Sequence, residues 1–313
     1  MARSRRRGRA RRLLGWLGIA AAGTAVAMIA RAERERARGG VPAPSGEPVD
    51  ATPPPEDAGL FVDALAGRLF VRQRGESGPA LLLVHGLGGS GAQWSAQLAA
   101  LGQAFRVVAP DLRGHGRSDA PTDGEQAIAA YVDDLLAVAD ALGLERFAVA
   151  GHSMGALVAS ELAARAPQRV RALALVDPGG DGTDEPEEEI AAALEELAED
   201  PHADFAVHYR EFLHGARPAT TRRVLADLRA TPEATLLGGY AAAMRYPARE
   251  RLAAFRGPTL CIASALNDAP GSLPRSVPEL PTEWLAPASH WLMMDRPEEV
   301  SGLLAELLAS APG

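Results

Sequence analysis

Short apolar runs recur along the chain from residue 80 onward, and stretches with a helical period separate them. The runs are continuous rather than alternating, which is typical of strands buried on both faces in a parallel sheet. They predict strands at residues 80–84, 105–109, 147–150, 172–176 and 259–263. The clearest helix between them covers 128–142 and stops before Gly143. Strand followed by helix, repeated, predicts an α/β architecture.

Two further features of the hydrophobic pattern lie outside this alternation. Short runs at 60–62 and 69–71 flank Ala66 and Gly67, which predicts an antiparallel hairpin at the edge of the sheet. Between about residues 182 and 255 several helical patterns follow one another with no strand, so we predict an inserted helical cap over the strand ends. The alternative is that these helices only cover one face of the sheet. Four apolar cap residues are candidates for a substrate pocket: Phe205, Phe212, Leu236 and Met244.

The first 58 residues differ in composition from the rest. Residues 1–12 are a basic tail with seven arginines, residues 13–30 are 18 uncharged positions, and residues 31–58 are a linker rich in Pro, Ala and Gly. The apolar stretch is long enough for a membrane-spanning helix, and the greater positive charge before it predicts a cytoplasmic N-terminus. We therefore expect a membrane anchor with a catalytic domain, residues 59–313, on the extracytoplasmic side. The alternative is a cleaved signal that leaves a secreted or periplasmic protein.

Composition narrows the class of protein. The chain has 313 residues, 47% of them hydrophobic, which suits one α/β domain plus extensions. Its net charge is −8, and outside the basic tail nothing favours nucleic-acid binding. Because Cys261 is the single cysteine, no intrachain disulfide forms. His202, His208 and His214 are spaced by six and do not share a helical face, so we expect no metal site.

A candidate nucleophile stands at Ser153. Residues 151–155 read Gly-His-Ser-Met-Gly, the pattern G-x-S-x-G, directly after the strand predicted at 147–150 and before a helical stretch. Strand, turn and helix in that order are the context of a nucleophile elbow, and the glycines permit the tight turn. We predict that Ser153 is the nucleophile and that His152 only packs.

A candidate general base stands at His290. It lies between a short strand-like run at 283–285 and a helix that opens near Pro297, and no other histidine occurs so late in the chain. A neutral imidazole there would take the serine proton and return it to the leaving group.

Four segments together resemble the α/β-hydrolase superfamily: 85–90 (HGLGGS), 111–119 (DLRGHGRSD), 151–155 (GHSMG) and 289–291 (SHW). The resemblance covers roughly residues 59–309 and implies an α/β-hydrolase fold, a mostly parallel sheet with helices on both faces and an inserted helical cap. It also implies an oxyanion hole made by the backbone amides of Leu87 and Met154. His85 is then a structural turn residue, and the segment 111–119 braces the site without taking part in the chemistry.

The acid that orients His290 is less directly specified. Related enzymes usually carry it in the loop after the strand matched here by 259–263, commonly as G-x-x-D. This chain reads Ser264-Ala265-Leu266-Asn267-Asp268, so Asn267 holds the usual position and a carboxylate follows one residue later. We expect Asp268 to be the acid, with Asp177 as the alternative and Asn267 as a neutral orienting partner in third place.

These residues predict a serine hydrolase of carboxylesterase or lipase type. It would cleave an ester of a small or lipid-like apolar substrate through an acyl-enzyme, with no cofactor and no metal. A lactonase, thioesterase or carbon–carbon bond hydrolase of the same fold is the alternative enzyme, and an anchored hydrolase-like protein that only binds a ligand is the alternative outside enzymes. The expected partners are a small-molecule ester and, through the N-terminal segment, a membrane, but no nucleic acid.

Overall fold

A computed structural model describes residues 58–122 and 124–311, which form one eight-stranded sheet with helices around it. The strand order is β1-β2-β4-β3-β5-β6-β7-β8. The strands are β1 (Leu60–Ala64), β2 (Gly67–Arg74), β3 (Ala80–Val84), β4 (Arg106–Pro110), β5 (Phe147–His152), β6 (Val170–Val176), β7 (Thr259–Ala263) and β8 (Thr282–Trp284).

The pairing follows the hydrophobic pattern. β1 pairs antiparallel with β2, with Ala64 opposite Gly67, and β2 pairs antiparallel with β4. From β4 to β8 every neighbouring pair is parallel. All residues of the central strands β3 and β5 are buried, which is why their sequences are continuously apolar. The predicted hairpin, parallel strands and α/β fold are therefore confirmed.

Helices link the strands and cover both faces of the sheet. They are α1 (Ser95–Leu101), α2 (Ile128–Ala141) and α3 (Met154–Arg165), and near the C-terminus α9 (Leu273–Ser276), α10 (Leu292–Asp295) and α11 (Pro297–Ser310). Helices α2 and α3 pack together, and α1 packs against α11. Helix α2 begins at the predicted residue and ends one residue before the predicted bound, and its buried residues lie on one face.

Five helices and one short 3-10 turn fill the chain between β6 and β7, with no strand among them. The turn is Gly182–Asp184, and the helices are α4 (Glu187–Leu197), α5 (Pro201–Phe212), α6 (Pro218–Ala230), α7 (Glu233–Ala243) and α8 (Ala248–Ala254). Helix α5 begins with a local signal: Pro201 occupies its first turn, and the Asp200 carboxylate accepts a hydrogen bond from the Ala203 amide at 3.3 Å. These helices form the cap.

The basic tail, the apolar segment 13–30 and the linker up to residue 57 lie outside the described residues. Within the described ranges no helix combines the length and the hydropathy needed to cross a membrane.

Candidate active site

Ser153 occupies the sharp turn between β5 and α3. Its backbone has φ 54° and ψ −121°, a positive-φ conformation that costs energy for a residue with a side chain. The turn closes tightly, since a Cβ on Gly151 would lie 2.0 Å from the Gly155 carbonyl oxygen. The Ser153 amide donates to Val176 O at the end of β6, at 3.1 Å. The strained turn thus holds the side chain in one direction, as expected of a nucleophile elbow.

His290 lies in the loop between β8 and α10, and its ring meets a buried carboxylate. The imidazole Nδ1–H donates to Asp177 Oδ2 at 2.7 Å, and the two side chains are 3% and 0% exposed. A carboxylate accepts but does not donate, so this bond places the proton on Nδ1 and leaves the lone pair on Nε2. Ser153 and His290 line the same cavity.

Asp177 follows β6 directly and is fixed by several donors. Its carboxylate accepts from the Ser264 amide at 2.7 Å, the Ser264 hydroxyl at 2.8 Å and the Asn267 side-chain amide at 2.8 Å. Its own amide donates to Ile262 O at 2.7 Å, and its φ is 45°. Asn267 therefore does not contact His290 in place of an acid: it holds the carboxylate that does.

The expectation that Asp268 orients His290 is corrected by this geometry. Residues Ala265–Asn267 form a 3-10 turn that directs Asn267 inward and Asp268 outward. The Asp268 side chain is 45% exposed, and its carboxylate accepts from Arg275 Nε at 2.6 Å. The loop after β7 thus supplies the side-chain amide of Asn267, and the carboxylate that contacts His290 is Asp177, at the end of the neighbouring strand β6.

The loop after β3 presents the Leu87 amide in a fixed direction. The Gly86 carbonyl accepts from the His85 ring Nδ1–H at 2.8 Å and from the Gly89 amide at 3.1 Å. Because a trans peptide is planar, the Leu87 N–H points opposite to that carbonyl. Met154 is the first residue of α3, where amides have no helical partner. Within the part of the chain that the structure describes, neither amide donates a hydrogen bond to another protein group.

His85 and the loop after β4 brace this arrangement, as the sequence predicted. The Leu112 amide donates to His85 Nε2 at 2.9 Å. The buried Asp111 carboxylate accepts from Arg72 at 2.6 Å and from the Gly91 amide at 2.7 Å. Burial, more than any other cause, lowers the pKa of His85 to about 4, so its ring is neutral. A neutral ring can donate from Nδ1 to the Gly86 carbonyl and accept at Nε2 from the Leu112 amide.

A small cavity of about 210 Å³, including open solvent at its mouth, lies over Ser153. Phe212 lies in its wall, whereas Phe205, Leu236 and Met244 are buried but do not line it. Phe205, for example, packs edge-on against Tyr209 at 6.2 Å and Tyr240 at 5.9 Å. The residues around the cavity are Gly86, Leu87, His152, Ser153, Tyr209, Phe212, His290 and Trp291.

Tyr209 and Trp291 are cavity residues that sequence reasoning missed. Tyr209 lies between Phe205 and Phe212 at helical spacing, and Trp291 directly follows the predicted base, so proximity to predicted site residues was the available signal.

His152 also has a contact beyond packing. Its Nε2–H donates to the His290 carbonyl oxygen at 2.9 Å, and the two ring centres are 4.6 Å apart. Burial, and secondarily the neighbouring His290, hold the pKa of His152 well below 6.5. His152 is therefore a neutral donor to the backbone of the predicted base.

Among the described residues no group of histidine, cysteine or carboxylate side chains is arranged to hold a metal ion. His202, one of the three spaced histidines, instead contacts the Thr231 carbonyl oxygen at 2.8 Å.

Two curated bacterial relatives match a third of the chain. An uncharacterised protein of Mycobacterium tuberculosis is 44% identical over 104 residues, which is 33% of this chain and 30% of that protein. The provisionally named carbamate hydrolase RutD of Agrobacterium fabrum is 41% identical over 99 residues, 32% of this chain and 38% of that protein. The chain thus spans less than two fifths of the length of either relative.

Solved structures match over a longer span. A hydrolase from Pseudomonas aeruginosa PA01 superposes with a TM-score of 0.68 at 30% identity, over 82% of this chain and 100% of that one. An esterase from Thermogutta terrifontis superposes with a TM-score of 0.69 at 25% identity, over 80% and 98%. The family model described as the alpha/beta hydrolase fold matches residues 79–275. This match covers more than half of the sequence, and the strand order and the turn at Ser153 are consistent with it. The chain therefore belongs to the α/β-hydrolase fold family.

Proposed function

We propose that this protein is a serine hydrolase that cleaves a carboxylic ester of a small apolar substrate through an acyl-enzyme. The observation that carries the proposal is the bond from His290 Nδ1–H to Asp177, in a cavity shared with the strained Ser153. In this proposal Ser153 is the nucleophile, His290 the general base and Asp177 the acid.

The first half-reaction transfers the acyl group to Ser153. The serine oxygen attacks the ester carbonyl while His290 Nε2 takes the hydroxyl proton, and the carbonyl oxygen becomes an anion. The Leu87 and Met154 amides would donate to that anion; in comparable enzymes one such donor is worth about 2.7–4 kcal/mol. The carbon–oxygen bond to the alcohol then breaks, and the alcohol leaves with the proton from His290.

The second half-reaction releases the acid. Water attacks the acyl-enzyme carbonyl while His290 again accepts a proton, and the bond to Ser153 breaks as that proton returns to the serine oxygen. In both steps the Asp177 carboxylate stabilises the imidazolium, which a neutral Asn267 in its place would do less well.

The cavity and the relatives bear on the substrate. Aromatic side chains of Tyr209, Phe212 and Trp291 line the cavity, so it favours an apolar acyl group. The Thermogutta terrifontis relative is an esterase. The Agrobacterium fabrum relative, named as a carbamate hydrolase, makes a carbamate the second candidate substrate.

Substitution of Ser153 tests the reaction. Ser153→Ala should lower the hydrolysis of nitrophenyl esters by several orders of magnitude and abolish labelling by a fluorophosphonate, because the attacking oxygen is lost. Ser160→Ala is the matched control, since Ser160 is a buried serine of α3, the helix that follows Ser153, and its hydroxyl donates to Ala156 O. A panel of esters of increasing acyl length, with a carbamate ester beside them, would identify the substrate class. Near-normal turnover by a clean Ser153→Ala preparation would refute the mechanism. Absence of both ester turnover and fluorophosphonate labelling in the parent protein would favour a protein that only binds ligand.

The cellular location of the enzyme is a separate proposal, which rests on the sequence of residues 1–58. We propose that the apolar segment 13–30 anchors the enzyme, and the full chain should then stay with membranes after alkaline extraction. A shortened form found free of membranes would favour the cleaved signal and a secreted or periplasmic enzyme.

A further inference from the structure

One helix of the cap contacts both loops of the candidate active site. Near its C-terminal end, α5 places the Tyr209 hydroxyl 2.6 Å from the Leu87 carbonyl oxygen, to which it donates. At the last residue of the helix, the Phe212 carbonyl accepts a hydrogen bond from the His290 amide at 3.1 Å. The cap thus contacts two loops directly: the loop after β3, residues 85–94, which is called the oxyanion loop below, and the loop that carries His290.

We propose that Tyr209 is a positioning residue that holds the oxyanion loop through its hydroxyl, so that the cap forms part of the catalytic machinery. The inference rests on the proposed serine hydrolase function and assigns a residue to it that no sequence motif marks.

The loop needs such a contact because it is rich in glycine. Leu87 lies between Gly86 and Gly88, and Gly88 has φ +61°, a conformation that few other residues adopt. On one side of Leu87, the Gly86 carbonyl is held by His85 and Gly89. On the other side, the hydrogen bond from Tyr209 holds the Leu87 carbonyl. Both peptide groups that flank Leu87 are therefore fixed, and with them the direction of its N–H.

The packing around the loop leaves little freedom for another arrangement. A Cβ added to Gly88 would lie 3.3 Å from the Tyr209 hydroxyl and 3.1 Å from Leu228 of α6. Farther along the loop, Ser90 Oγ and Gln93 Nε2 both donate to Asp227 of α6 at 3.0 Å. Cap residues therefore contact the loop at several points.

The Tyr209 hydroxyl is suited to a permanent donor role. The side chain is 5% exposed, and burial raises the pKa of the phenol far above its ordinary value. The proton therefore stays on the oxygen at every pH at which the protein would work.

Replacement of the hydroxyl tests the proposal. Tyr209→Phe should lower kcat about tenfold to a hundredfold with KM changed less than about twofold, since a small misplacement of a catalytic group costs rate rather than binding. A trifluoromethyl ketone, which forms an oxyanion on the serine, should bind weaker by the same factor as kcat/KM falls. Its inhibition constant does not depend on the fraction of folded enzyme, so a stability loss cannot imitate the effect.

Tyr246→Phe is the matched control. Tyr246 is also a buried tyrosine of the cap segment, and its hydroxyl donates to Glu161 of α3 at 2.9 Å, away from the cavity. It should lower stability by a similar amount and leave kcat and the inhibition constant within about threefold of the parent. An inhibition constant within about twofold of the parent for Tyr209→Phe, or an equal loss in Tyr246→Phe, would overturn the proposal. Turnover that survives in Ser153→Ala would instead overturn the proposed function itself.

Discussion

At the scale of single residues, the candidate site is a chain of hydrogen bonds in which each group orients the next. Ser264 and Asn267 hold the Asp177 carboxylate, and Asp177 holds His290. His152 holds the backbone of His290 from the other side. The low exposure of these groups makes their mutual electrostatic interactions stronger than they would be in water.

The identity of the acid gives the first prediction at this scale. Asp177→Asn keeps the shape of the side chain but removes its charge, so kcat should fall by about four decades, as in comparable triads. Asp268→Asn is the control and should keep nearly full activity, because its carboxylate faces solvent and Arg275. Ester hydrolysis by the two variants, with circular dichroism to verify folding, decides between them. Collapse in Asp268→Asn alone would contradict the assignment of Asp177.

The same residues mark the limit of what the sequence predicts. Ser153 and His290 lie in short sequence motifs, so their roles can be predicted from the few residues adjacent to them in the sequence. The choice between Asp177 and Asp268 depends on how the loops after β6 and β7 meet, and on a 3-10 turn that reverses which of Asn267 and Asp268 faces inward. No period in the sequence carries that information, because the contact is made between residues ninety positions apart.

At the scale of elements, the turn from β5 into α3 is closely constrained by neighbouring backbone. A Cβ on Gly155 would lie 2.4 Å from the His85 carbonyl oxygen and 2.5 Å from the Val84 carbonyl oxygen. Backbone atoms of β3 cannot move away without breaking the sheet. This close approach brings the serine turn beside the loop after β3.

A pair of helical glycines tests this constraint. Gly155→Ala should lower the free energy of unfolding by about 1–3 kcal/mol, because the new methyl group overlaps backbone that cannot shift. Gly302→Ala in α11 is the matched control: a Cβ there meets no atom within 4 Å, and the change should stabilise the protein by up to about 1 kcal/mol. Urea denaturation measures both. Equal effects of the two substitutions would show that the turn tolerates a side chain.

The cap shows a second limit of sequence interpretation, also at the scale of elements. Helical periodicity predicted its helices, and a single face of α5 carries Phe205, Tyr209 and Phe212. Periodicity does not say which of these residues faces the cavity and which faces the next helix. In the structure Phe205 packs inside the cap, whereas Tyr209 and Phe212 reach the site.

At the scale of the whole molecule, the buried histidines link stability to pH. Burial, the largest cause, lowers the pKa of His85 to about 4 and that of His115 to about 3, and it holds the pKa of His152 well below 6.5. In the unfolded chain each ring takes up a proton near pH 6.5. Below that pH the unfolded state binds more protons than the folded state, so stability is lost as the pH falls toward the folded pKa. Asp227 acts in the opposite direction, because burial raises its pKa and the folded state takes up its proton first.

Substitution of His115 isolates the contribution of one of these histidines. The free energy of unfolding should fall by about 1.4 kcal/mol per pH unit for each of His85, His115 and His152 between about pH 6 and pH 4.5, above the range in which most carboxylates titrate. His115→Asn should remove one such contribution, because an asparagine side chain does not take up a proton. The side-chain amide of the asparagine would still donate to Arg113 O, as the ring Nδ1–H of His115 does at 2.9 Å. His214→Asn is the control, because His214 is exposed. Urea denaturation at a series of pH values gives the slopes. An unchanged slope in His115→Asn would mean that its ring takes up a proton without unfolding, and that acid loss of stability has its origin in other groups.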